Sequence, residues 1–101
     1  MTSLEEQFQQ AMIGVYENAK KHEYFASYFK RMIDKHGGVE TAKRLLTKQE
    51  IPAGLMRLYE MGLLADSMEA LVIQERFKSL FTSAEIDEAH RRLKELGYFK
   101  K

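Results

Sequence analysis

Apolar side chains recur in this chain at spacings of three and four, and nowhere do they alternate with polar ones long enough to demand a strand. That spacing follows the turn of an α-helix, so the chain must bury helical stripes against one another. Leu4, Phe8, Met12, Val15 and Ala19 make the first stripe, and Ser3 with Glu6 supplies a capping box at its start. Gly14 stands inside this helix at a cost of about 1 kcal/mol against Ala, which predicts a neighbouring helix passing close to it. Phe25, Tyr28, Phe29, Met32 and Ile33 make the second stripe, and Gly37-Gly38 ends it, since glycine takes the left-handed conformation that closes helices.

Three shorter segments and one long one follow. Residues 39–47 predict a helix turning Val39, Ala42, Leu45 and Leu46 inward. Pro52 suits the first turn of a fourth helix, where its missing N–H costs nothing; that helix uses Leu55, Leu58 and Tyr59 and stops near Gly62. Asp66 with Glu69 offers a weaker capping box ahead of Met68, Leu71 and Val72, and Leu71-Val72-Ile73 is where a short extended segment could hide. Thr82 with Glu85 opens a last helix carrying Ile86, Ala89, Leu93 and Leu96, which Gly97 closes. The expectation is an all-α fold: one compact domain over residues 1–101, of five or six helices, with two longer terminal helices flanking shorter middle ones.

Composition narrows the function. At 101 residues the chain has the size of one domain. It contains no Cys, which removes disulfides, thiol catalysis and zinc-thiolate sites. No stretch approaches the ~20 apolar residues of a membrane span, and Glu5 and Glu6 stand where a secretory signal would be basic. A cytoplasmic protein is expected.

The formal net charge of +1 conceals opposed blocks. Residues 20–48 hold eight basic and three acidic side chains, and residues 49–90 hold three basic and eight acidic. Such blocks usually complement one another within a fold or lie on solvated faces. The alternative is an electropositive patch of Lys30, Arg31, Lys35, Lys43, Arg44 and Lys48 that meets nucleic acid or an acidic partner. Residues 39–61 have the span of a helix-turn-helix, but their second helix offers only Arg57 against Glu60 to base edges and phosphates.

No constellation of catalytic type stands out. His22, His36 and His90 form no HExxH pattern, and Asp87 with His90 is a pair short of a closed metal site. His22 and His36 fall near predicted helix ends, where a cation suits the dipole. Glu5-Glu6 and Asp87-Glu88 are expected in first helical turns for the mirror-image reason. Ser3, Ser67 and Thr82 suit caps, with no nucleophile elbow around any serine, and Gly37-Gly38 lacks the Lys-Ser or Lys-Thr of a phosphate loop. No cofactor or metal is expected. Aromatic and basic residues interleave at Tyr24, Phe25, Tyr28, Phe29, Lys30 and Arg31, and again at Tyr98, Phe99, Lys100 and Lys101. Single-stranded nucleic acid uses such platforms, yet Phe25, Phe29 and Met32 share a face that predicts core. Tyr24, Met56, Met61 and Phe77 are the expected protein-contact residues, since aromatics and methionines adapt to such surfaces.

A longer pattern joins these segments. It runs through Gly37-Gly38-Val39, Ala42-Lys43-Arg44-Leu45-Leu46, Gly54-Leu55, Leu58 and Gly62. It continues through Ser67-Met68-Glu69-Ala70-Leu71-Val72, Leu80-Phe81-Thr82, Ala89, Arg91-Arg92-Leu93 and Gly97-Tyr98. In this pattern the chain resembles a family of small bacterial helical domains of uncharacterised function, departing from it at Ile51-Pro52-Ala53 and Ala65-Asp66. The resemblance implies a binding module, found alone or as an accessory part of larger proteins, in preference to an enzyme. The expected function is thus a non-catalytic interaction module for a protein partner or for a second copy of itself as a homodimer. A nucleic-acid-associated module is the alternative.

Overall fold

Two capping boxes open the two longest helices. In the computed structural model, which describes residues 3–48 and 50–99, α1 spans Leu4–Lys21 and α6 spans Ser83–Glu95. The Ser3 hydroxyl accepts from the Glu6 N–H at 3.1 Å while the Glu6 carboxylate accepts from the Ser3 N–H at 3.3 Å. Thr82 and Glu85 repeat the exchange at 3.2 and 2.8 Å. Between them lie α2 (Ser27–His36), α3 (Gly38–Leu46), α4 (Ala53–Glu60) and the short α5 (Met68–Val72), with 3-10 turns at Leu64–Asp66 and Glu75–Leu80. The described residues fold all-α, with longer helices at both ends and a radius of gyration of 12.6 Å, which is that of a packed chain of this length.

Three helices, α1, α4 and α6, close in the same way, one of them without glycine. After α4 and α6, Gly62 and Gly97 adopt positive φ. The next N–H in each case reaches back to a carbonyl five residues earlier, Leu63 to Leu58 and Tyr98 to Leu93, which is the Schellman arrangement. After α1 the same bonds form, from Tyr24 N–H to the Ala19 carbonyl, but the left-handed position is held by Glu23 at φ 66°. A β-carbon there costs about 1–2 kcal/mol, partly offset by the entropy that glycine loses on folding. Glu23→Gly is therefore expected to stabilise the protein by about 0.5–1 kcal/mol. A thermal melt should show a rise of a few degrees, and an unchanged midpoint would mean the strain is relieved elsewhere.

The core assembles around Phe8. Its ring meets Phe77 and Phe81 edge-on, each at 5.1 Å between centroids, an arrangement that adds quadrupole attraction to burial. Met12, Ile33, Ala42, Leu46, Met68, Val72 and Ala89 fill the space around these rings. A second cluster joins Leu55, Leu64, Ala70 and Leu93, with Ile51, Leu96 and Tyr98 packed against it.

Helix α1 crosses α3 at a contact only glycine allows. Gly37 ends α2 at φ 83°, and a β-carbon on Gly38 would lie 2.7 Å from the Gln9 Cα. The Gln9 side chain uses this closeness to accept from the Gly38 N–H at 3.1 Å, covering an N–H at the start of α3. Gly38→Ala forces the helices apart, so a loss of about 1–3 kcal/mol is expected. Urea titration checks this, and a midpoint equal to wild type would refute the tight crossing.

Several sequence expectations change here. Gly14 has nothing within 4 Å of where a β-carbon would stand; no helix approaches it, because it lies on the solvent side of α1. Pro52 sits one position earlier than expected, as the extended N-cap of α4. Ser67 caps α5 as its type suits, its hydroxyl accepting from the Ala70 N–H at 3.1 Å, so the Asp66–Glu69 box does not form and Glu69 is buried. Leu71 and Val72 are helical, with Ile73 as the C-cap. Asp87 and Glu88 lie beyond the first turn of α6, where Glu85 is the acidic residue. Tyr59 is 46% exposed because Leu55 and Leu58 alone turn α4 inward. Finally, α3 packs on α1, α2 and α6 while α4 packs on the Leu64–Asp66 turn, so α3 and α4 do not form a helix-turn-helix pair.

Candidate functional site

The most buried charged side chain is one the sequence pattern did not single out for a role. Arg92 on α6 is 0% exposed. Its Nε donates to Glu88 at 2.7 Å and its Nη1 to Glu69 at 3.0 Å. Its Nη2 donates to the carbonyls of Leu45, at 2.9 Å, and Lys48. The Leu45 carbonyl is one of the last of α3, where helical C=O groups need partners, and the Lys48 carbonyl lies just past the C-cap Thr47. That helix ends at Thr47 in right-handed conformation with no glycine, and Arg92 supplies from another helix the donors a glycine cap would provide. Burial pushes the Glu69 carboxyl up from its ordinary value, against the opposing pull of its own backbone N–H and of Arg92. Glu88, bonded to Arg91 first and Arg92 second, is held below its ordinary value.

A groove opens directly beside this hub. It encloses about 590 Å³, the size of a site for a small ligand or a few side chains. One wall comes from the end of α1, the following loop and α2, through Tyr16, Tyr24, Phe25, Tyr28, Phe29 and Met32. The other comes from the approach to α4 and its first turns, through Ile51, Pro52, Gly54, Leu55 and Leu58. Leu45, Met68 and Glu69 also line it, and Lys48 and Glu50 are its exposed charged residues. The groove is therefore apolar and aromatic, and its lining includes residues tied to the Arg92 hub. Gly54 allows the walls to meet at one end, since a β-carbon there would stand 3.3 Å from the Tyr24 hydroxyl.

The expected core face of α2 is partly this wall. Phe29 packs against the core, and Met32 is half-buried. Phe25 and Tyr28 are 59% and 64% exposed. Phe25 precedes the first turn of α2, so the helical period does not apply to it, and Tyr28 points away from Ile33, the buried residue of that helix. Of the four expected contact residues, Tyr24 lines the groove, while Met56 is exposed and Met61 half-buried outside it. Phe77 is corrected outright: at 0% exposed beneath Phe8 it offers no surface.

The six basic candidates do not converge. Lys30 pairs with Asp34 at 2.9 Å and lies 6.0 Å from the Tyr16 ring centroid. Lys43 reaches Glu85 at 2.9 Å and the Phe81 ring at 5.4 Å, and Arg44 pairs with Glu40 at 3.0 Å. The Lys43–Glu85 bridge ties the basic block to the acidic one. Partial burial pushes the Glu85 carboxyl up, but the Thr82 N–H and the Lys43 ammonium outweigh it and hold it low. Arg31, Lys35 and Lys48 are exposed and form no ion pair among the described residues. Lys100 and Lys101 lie outside the described residues.

The histidines keep apart. His22 caps α1 and its Nδ1 lies 2.9 Å from the Asn18 carbonyl; His36 ends α2; His90 stacks on Phe99 at 4.4 Å. Among the described residues no three His, Asp or Glu side chains are placed to hold a metal ion. Likewise, no described helix is long and apolar enough to cross a membrane. A second depression, between the starts of α1 and α3, is lined by Glu5, Glu6 and Glu40, whose charges oppose an anion at those helix ends. No protein-family model, curated protein or solved structure matches this chain. Function must therefore be read from the side chains themselves.

Proposed function

We propose that this chain is a non-catalytic helical interaction module that takes an apolar segment of a protein partner into the groove between α2 and α4. One observation carries the reading: Phe25 and Tyr28 are more than half exposed on the wall of a 590 Å³ apolar groove. Large exposed aromatics on a concave surface favour association, because covering them removes apolar area from water at little entropic cost. The α2 part of the wall packs on α1 and α3, and Arg92 bonds two of the lining residues, Glu69 and Leu45.

The test is a pull-down from native lysate with wild type beside a Phe25→Ser/Tyr28→Ser double variant. Both residues are exposed, so folding should be kept, as circular dichroism will show. A partner retained by wild type and lost by the variant supports the reading. Identical capture by both proteins, or none by either, counts against it.

A further inference from the structure

Resting on that reading, we infer that the groove's partner is a segment of another protein in which apolar anchors are flanked by acidic side chains. Arg31 and Lys35 are exposed on α2 outside the lining, beside the residues that form its wall. Arg31 lies one turn from Tyr28, Lys35 one turn from both Arg31 and Met32, and residues at these spacings are surface neighbours. Lys48 adds a third cation at the groove itself. None of the three pairs with a carboxylate among the described residues, unlike Lys30, Lys43 and Arg44. Against them stands Glu50, the one exposed carboxylate of the lining, Glu69 being buried on Arg92. An apolar slot rimmed by unpaired cations is complementary to apolar anchors beside Asp or Glu, and such rim charges set association rate and partner choice.

A second copy of this chain does not supply that segment. Among the described residues beyond the groove, the large exposed apolar ones are Met56, Tyr59 and Phe99. Met56 and Tyr59 flank Arg57 and Glu60, which neutralise each other at 3.9 Å, and Phe99 lies on His90. Met56 and Tyr59 thus have no unpaired carboxylate within one helical turn, and Phe99 offers a single ring that is already stacked.

Selection from a random twelve-residue peptide library against the whole protein tests this. Enriched peptides should combine aromatic or aliphatic anchors with Asp or Glu, and should bind less tightly as salt rises. Arg31→Glu/Lys35→Glu should weaken the best of them about tenfold, chiefly through slower association, and Tyr28→Ala should abolish it. Peptides that are apolar but not acidic, and indifferent to charge reversal, would overturn the acidic partner while leaving the groove's role intact. No enrichment at all, tight binding of a single-stranded oligonucleotide instead, or a stable dimer closed over Tyr28 would overturn this inference, and the first would take the groove reading with it.

Discussion

Replacing Arg92 by methionine is expected to remove about 3–5 kcal/mol of stability, the cost of leaving a buried charge without its partner. Against a total of roughly 5–15 kcal/mol for a domain of this size, that brings the variant close to unfolding. Three losses coincide: Glu69 stays buried and unpaired, and the carbonyls of Leu45 and Lys48 lose their donors. Urea titration gives the magnitude, and a second variant identifies the cause. Adding Glu69→Leu to Arg92→Met should restore part of the loss, because removing both charges leaves none stranded. The pH dependence has a definite sign. In Arg92→Met, burial acts on Glu69 with only its own backbone N–H to oppose it, raising its folded pKa further above the unfolded value. Such a group stabilises the folded state at acid pH and loses that contribution as pH rises through the folded pKa. The deficit should therefore shrink from neutral to mildly acidic pH. A deficit below 1 kcal/mol would show that the hub is dispensable.

Phe77→Ala should be almost as costly, at about 3–5 kcal/mol, since it empties a site in contact with Phe8 at the centre of the core. Met56→Ala, by contrast, should fall within about 0.5 kcal/mol of wild type because its side chain meets solvent. The pair separates core from surface among residues that sequence alone placed in one group. Thermal or urea unfolding of both variants is enough. Equal midpoints would mean that Phe77 does not anchor the core.

The local pattern carried most of the helices. Ser3-Glu6 and Thr82-Glu85 work as capping boxes, and Gly37, Gly62 and Gly97 end helices, because these signals act within one turn of chain. The period of three and four found Phe8, Met12, Ile33, Ala42 and Leu93, all buried. It failed where a residue's surroundings come from distant chain. Tyr28 and Tyr59 share the spacing of core residues yet face solvent, and the aromatic Phe77 is buried because the Glu75–Leu80 turn folds over α1. The groove was half legible. Tyr24, an expected protein-contact residue, lines it, but periodicity places Phe25 and Tyr28 in the core.

A faint signal for the hub did exist. Arg92 stands beside Ala89, Leu93 and Leu96 on the apolar side of α6, and Glu69 stands within the apolar run of α5. A charge on such a face must pair or carry a large desolvation penalty, but the chain alone does not say with what.

What the order of residues determined by itself is the all-α class and where most helices start and stop, since capping and periodicity are settled by neighbours a few positions apart. Only the tertiary structure decided that Gly38 lets α1 touch α3, that Arg92 closes the end of α3 from 44 and 47 positions away, and that Phe25 and Tyr28 wall a groove. The physical reason is that burial and charge pairing are properties of packed surfaces. Those surfaces exist only once remote segments meet.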